Sequence, residues 1–152
     1  MPDAAMDITN YVCGLAFNLN RSYVLLVEKK RPIWHAGLLN GIGGKINRDE
    51  KPVKAMQRTF AAQTGVSDDM RWEEFAVVSG IDAPGGVYTV HFFSAFSDRV
   101  LKAHTVKDET IVYRSAHELY RQPVVPDLRF LIPLALDMTS IVKPVVITRE
   151  EG

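Results

Sequence analysis

Cysteine is almost absent: Cys13 is the single one in 152 residues, so no intrachain disulfide can form. It sits in the apolar stretch Tyr11-Val12-Cys13-Gly14-Leu15, where a buried, inert thiol is expected rather than a nucleophile. Long apolar runs are missing too. The best candidate, residues 130–147, is broken by Pro133, Asp137, Lys143 and Pro144, and no run approaches the ~18 apolar residues of a membrane span. The start, Met1-Pro2-Asp3-Ala4-Ala5-Met6-Asp7, has neither a basic beginning nor an apolar core. No secretory leader and no membrane partner are therefore expected, and the chain reads as cytoplasmic. Neither sign of charge is in excess, with 18 Lys+Arg against 18 Asp+Glu. The global basic field that a large nucleic acid would need is lacking, although local basic patches are not excluded. The same balance leaves little repulsion between copies and mildly favours a homodimer. The four histidines, His35, His91, His104 and His117, show no metal-ligand spacing. No Gly-x-Ser-x-Gly elbow or Cys/His pairing supports a nucleophile.

Hydrophobic residues make up 47% and charged residues 24%, the balance of a globular chain rather than a disordered one. The length suits one domain spanning residues 1–152. Residues 11–18 and 22–28 read as strands around the turn Leu19-Asn20-Arg21. Residues 31–49 are Gly-rich and too long for an ordinary connection, which marks them as functional. The clearest helix is 52–64. Pro52 suits its first position, Gly65 suits its stop, and Val53, Met56 and Phe60 form one apolar stripe. Lys51 is a poor N-cap, because its side chain offers no oxygen to the free N–H groups. Residues 72–79 and 87–96 read as strands around Pro84-Gly85-Gly86, and 110–114 as another strand. Residues 116–120 suggest a helical turn. A second helix runs from Pro126 to about Met138, with Leu128, Leu131, Ile132 and Ala135 on one side and Pro133 expected to kink or split it. Two amphipathic helices on opposite faces of a mixed sheet give an α/β sandwich.

The chemistry concentrates in Gly37-Leu38-Leu39-Asn40-Gly41-Ile42-Gly43-Gly44-Lys45-Ile46. Three glycines in four residues, followed by a loop and a helix, can shape a phosphate site or simply a tight turn. The register that follows is more specific. Gly44 is followed by five residues, Glu50, seven residues and Arg58, then by Phe60, Gly65 and Val66. This pattern resembles the signature of the Nudix hydrolases. The segment 34–45 and Val125-Pro126-Asp127-Leu128-Arg129-Phe130 look like the subset that cleaves 8-oxo-dGTP and related purine triphosphates. The resemblance covers roughly residues 24–138 and implies a Nudix-type α/β/α sandwich with a mixed β-sheet.

The departures from the signature matter most. Where the family carries metal-binding glutamates, this chain has Thr59, Ala62 and Gln63. Residues spaced i, i+3 and i+4 share one helix face, so three glutamates there could converge on Mg²⁺. Two neutral side-chain oxygens and a methyl group should hold this hard cation poorly. No metal is therefore expected at these three positions, and losing a general base typically removes about 10²–10⁴-fold in rate. Glu50, Arg58 and Glu109 are the residual catalytic candidates, with Glu50 and Glu109 the weak metal candidates. The bland reading makes Glu50–Arg58 a structural ion pair and Glu109 an exposed loop acid. Asp68, Asp69, Glu73 and Glu74 read as a solvated turn and strand edge.

By resemblance, Asn40 and Asp127 face a base, and Asn40 can both donate and accept. Asp127 could instead simply favour its helix N-terminus. Trp34 approaches the pocket or packs in the core. Gly43, Gly44, Lys45 and the Lys29-Lys30-Arg31 cluster could meet phosphates, the cluster reading equally as a solvated turn. Val125 stands where the purine-specific subset has a stacking tryptophan, which weakens the case for oxidised guanine. Three readings follow. The first is a Nudix-fold protein without metal-dependent hydrolysis that binds a nucleotide-like, purine ligand and needs no cofactor. The second is an active hydrolase using Mg²⁺ at an atypical site. The third is a protein-interaction scaffold.

Overall fold

The computed structural model describes residues 8–67, 70–81, 86–137 and 144–149. The expectations for Met1-Pro2-Asp3-Ala4-Ala5-Met6-Asp7, Asp68, Asp69, Pro84-Gly85 and Met138 lie outside them. In chain order come β1 (Ile8–Phe17), β2 (Tyr23–Glu28), a 3-10 turn (Ile33–His35), β3 (Leu39–Asn40), β4 (Ile42–Lys45) and α1 (Pro52–Thr64). They are followed by β5 (Glu73–Ile81), β6 (Val87–Phe96), β7 (Ile111–Ser115), α2 (Leu128–Leu136) and β8 (Val145–Thr148). Two further 3-10 turns, Asp98–Lys102 and Leu119–Arg121, flank β7.

The strands form one mixed sheet in the order β3-β2-β1-β6-β5-β8, with β4 paired to β1 and β7 to β2. Strands β1 and β6 run parallel through ten paired positions, Ile8↔Val87 to Phe17↔Phe96. One face carries a core of Val12, Ala16, Leu25 and Ile42 closed by Ala55, Met56 and Phe60 of α1. The other carries Leu15, Phe17, Leu26 and Val78 closed by Leu128, Leu131, Ile132 and Ala135 of α2. The helices therefore cover opposite faces, as the alternating strand pattern requires when both sides of a sheet are apolar.

Helix α1 has the bounds that Pro52 and Gly65 suggest. Lys51 makes no side-chain cap, and Gly65 ends the helix at φ 76°, a left-handed conformation glycine adopts without penalty. Pro133 does not split α2, which continues through it; burial of Leu131, Ile132 and Ala135 outweighs the one missing N–H. Residues 31–49 are less loop-like than expected, since they contain β3 and β4. Strand β8 was also unanticipated: the broken apolar run ends in a β-branched segment that pairs in parallel with β5. Among the described residues no helix is long and apolar enough to cross a membrane.

Candidate functional site

Strand β4 is where the two halves of the site meet. It pairs antiparallel with β1 through Tyr11↔Lys45, Val12↔Gly44 and Cys13↔Gly43. The approach is so close that a Cβ on Gly43 would lie 1.8 Å from the Val12 carbonyl oxygen. Only glycine fits there, which explains part of the Gly-rich spacing without any ligand.

On the α1 side the polar groups are satisfied internally. Gln63 Nε2 donates to the Gly43 carbonyl at 2.6 Å. Buried Thr59 donates its hydroxyl to the Ala55 carbonyl at 2.9 Å. The Thr59 methyl would lie 3.2 Å from a Cβ on Gly44, so helix and glycine segment are in contact. Ala62 is exposed and carries no donor oxygen. Mg²⁺ prefers several carboxylate, phosphate or water oxygens, and this face presents no carboxylate at 59, 62 or 63, while an amide N–H already occupies the Gly43 carbonyl. Among the described residues no group of three or more His, Cys, Asp or Glu side chains could hold a metal ion. The residues present do not fit the cation.

Glu50 and Arg58 form a fork-to-fork pair, Nε to Oε2 and Nη2 to Oε1, both at 2.8 Å. Arg58 also donates to the Lys45 carbonyl at 2.9 Å, and Asn47 N–H donates to Glu50 at 2.9 Å. The pair thus ties the loop after β4 to α1. The Arg58 guanidinium, helped by the Asn47 N–H, pulls the Glu50 carboxyl down to about 2. A base that acidic is a poor proton acceptor near pH 7.

Glu109 is held elsewhere. It accepts from Lys29 Nζ at 3.1 Å and from Lys30 N–H at 2.7 Å. Burial alone would raise its carboxyl, but those donors outweigh it and hold it below the usual range. Arg31 pairs with the neighbouring Asp108. The basic cluster therefore clasps the loop before β7.

On the α2 side, by contrast, a cavity of about 470 Å³ opens. The structure brings Trp34, Asn40, Gly43, Gly44 and Asp127 together around it, while Lys45, Glu50, Arg58 and Glu109 lie outside its lining. Trp34 is 74% exposed at the rim, which excludes the core-packing alternative. Asn40 Oδ1 accepts from Gly41 N–H at 2.8 Å and lies 3.8 Å from Cys13 Sγ. The Gly41 donor fixes the amide orientation, and no hydrogen bond from Nδ2 of this lining residue is found among the described residues. Asp127 stands at the N-cap of α2 yet makes no side-chain cap; its carboxylate lies 3.6 Å from Arg149.

Lys29, of the cluster expected to meet phosphates, also lines the cavity, and several lining residues escaped the sequence reading, namely Tyr11, His35, Tyr88 and Arg149. Tyr88 alternates with Val90 and Phe92 on β6, a period-2 signal that could have placed it. Arg149 had no local signal, because its position depends on β8 joining β5, where its N–H donates to the Ser79 carbonyl at 2.8 Å. Burial, reinforced by Lys29, lowers the His35 imidazole pKa, which keeps it neutral near pH 7. Burial pushes the Cys13 thiol up to about 12, in line with an inert side chain. His91, on β6, meets the Glu74 carboxylate on β5 at 2.5 Å.

No family model and no curated protein matches this sequence. Solved structures do. The NUDIX domain of Shewanella oneidensis NrtR, complexed with ADP ribose, superposes with a TM-score of 0.70 at 21% identity, over 90% of this chain and 92% of that one. The MutT protein of Methanosarcina mazei Go1 gives 0.68 at 18% identity, over 91% and 100%. Shewanella oneidensis NrtR complexed with a 27mer DNA gives 0.63 at 22% identity, over 82% of this chain but 59% of that one. The chain has the fold of a Nudix domain.

Proposed function

We propose that this protein is a cytosolic Nudix-family member that has lost metal-dependent diphosphohydrolysis and binds a nucleotide-like ligand, purine-based, as a sensor, sponge or regulator. The carrying observation is the asymmetry across β4. The α1 face answers its own polar groups, with Gln63 on the Gly43 carbonyl, while the amide donor of the cavity-lining Asn40 has no hydrogen-bond partner among the described residues. A purine edge presents an acceptor to such a donor, and the rings of Trp34 and Tyr88 offer stacking surface. The Nudix neighbour bound to ADP ribose supports a nucleotide-type ligand in this fold. The DNA complex of the longer neighbour is not carried over, given the balanced charge of this chain.

Glu50 and Glu109, the carboxylates left for an atypical metal site, are engaged by Arg58 and Lys29 respectively, which disfavours the hydrolase reading. The test is a thermal-shift screen of purine and pyrimidine nucleotides, each in Mg²⁺ and in EDTA, with phosphate and pyrophosphate release followed in parallel. We expect a purine-selective rise in Tm that survives EDTA, without turnover, because a ligand selective for the folded state stabilises it. Mg²⁺-dependent turnover at an ordinary enzymatic rate would refute the reading. Absence of any shift at millimolar ligand would favour a protein-interaction scaffold.

A further inference from the structure

Resting on the nucleotide-type reading, we propose that the cavity takes a nucleoside or nucleoside monophosphate and discriminates against di- and triphosphates. The reason is charge matching. A triphosphate brings roughly three to four negative charges near pH 7, and a site that accepts it must answer them with a cation, a cluster of free Lys and Arg, or a nest of backbone N–H groups. The α1 face, with Gln63 on the Gly43 carbonyl and no carboxylate at 59, 62 or 63, is unsuited to a cation.

The cationic side chains in the described lining come already matched. Lys29 is 3.1 Å from Glu109, with the two side chains only 24% and 12% exposed. Drawing Lys29 toward a polyphosphate would strand the Glu109 carboxylate, largely buried, beside added negative charge. Arg149 faces Asp127 at 3.6 Å. Neutral His35 adds no charge near pH 7. The backbone adds little: Gly41 N–H is given to Asn40, and because adjacent residues of an antiparallel ladder alternate, only one N–H of the Gly43–Gly44 pair is turned away from β1, a single donor rather than a nest.

What the cavity does offer suits a base and at most one anion. Asn40 brings an amide, Trp34 and Tyr88 bring aromatic side chains to the lining, and Arg149, loosely paired and 56% exposed, can turn to a single phosphate without stranding a deeply buried acid.

The deciding experiment is calorimetric titration in EDTA of adenosine and guanosine with their 5′-mono-, di- and triphosphates. The monophosphate should bind as well as or better than the nucleoside, and the di- and triphosphates more weakly than the monophosphate, with added Mg²⁺ changing nothing. Tightening at each added phosphate, reaching about tenfold between nucleoside and triphosphate, would overturn the proposal. If no member binds at all, the nucleotide reading itself falls, and this inference with it.

Charge-releasing variants give an independent check. Glu109→Gln frees Lys29 and Asp127→Asn frees Arg149. Each should raise the triphosphate-to-nucleoside affinity ratio by about fivefold, the effect of one uncompensated charge near the surface. A ratio unmoved in both folded variants, verified by circular dichroism, would show that charge matching does not set the preference.

Discussion

The two sides of β4 use similar residue types to opposite ends. Toward α1, an amide, a hydroxyl and a guanidinium all end on protein oxygens: Gln63 on Gly43, Thr59 on Ala55, and Arg58 on Glu50 and Lys45. Toward α2, among the described residues the Asn40 amide is anchored through its oxygen only, and Trp34 is left at the surface. A polar group satisfied by its own fold contributes to stability. One left with an open donor at a cavity contributes to recognition. The α1 side should therefore respond to mutation in stability and the α2 side in binding.

The largest effect is expected where both sides share backbone. Gly43→Ala would drive a methyl group into the Val12 carbonyl and force β4 away from β1, costing about 4 kcal/mol or more in denaturant unfolding and abolishing ligand binding with it. Near-normal stability in this variant would mean that the β1–β4 contact is looser than described.

Next, Gln63→Glu sets a carboxylate against the Gly43 carbonyl and should cost about 1–3 kcal/mol. Combined with Thr59→Glu and Ala62→Glu, it rebuilds a three-carboxylate face. Millimolar Mg²⁺ should then raise the Tm of the triple variant and leave the parent unchanged. A parent protein equally stabilised by Mg²⁺ would break the comparison, because the native face would then hold the ion.

Asn40→Ala sharpens the other side. Unfolding free energy should fall by only about 1 kcal/mol, while nucleotide affinity drops about tenfold in calorimetry. A stability loss without a binding loss would make Asn40 structural.

The smallest effect concerns Glu50. Its folded pKa is depressed from 4.5 to about 2, so the stability it adds is present above the unfolded value and is lost as pH falls from about 4.5 toward 2. Glu50→Gln should therefore flatten the acid limb of a Tm-versus-pH curve in that window while leaving ligand binding near neutrality unchanged. An identical acid limb in variant and parent would show the pair to be inert. The Arg58 side of the pair is open to solvent, which keeps the effect small.

Much of this was legible without coordinates where the signal is local. Helix α1 announced itself through Pro52, Gly65 and the Val53–Met56–Phe60 stripe, and β6 through its run of β-branched and aromatic residues. The glycine-to-arginine register pointed to the fold, and the neutral residues at 59, 62 and 63 to a face unsuited to Mg²⁺. The cavity was half legible. Asn40, Asp127 and Trp34, singled out because they lie in recognisable segments, line the cavity, while Lys45, expected to meet phosphates, lies outside its lining, because proximity in sequence to Gly44 does not fix which way β4 turns its side chains. Tyr88 and Arg149 were missed, since β6 and β8 reach the cavity only by pairing with distant strands.

By itself the sequence determined the balance of charge, the helix stripe and the identity of every group that could meet a metal, because these depend on residue type and short spacing. Tertiary structure decided which of those groups are already taken. Whether Gln63 faces an ion or a carbonyl, or Lys29 a ligand or Glu109, depends on contacts between residues 20 to 80 positions apart, and no local rule reaches that far.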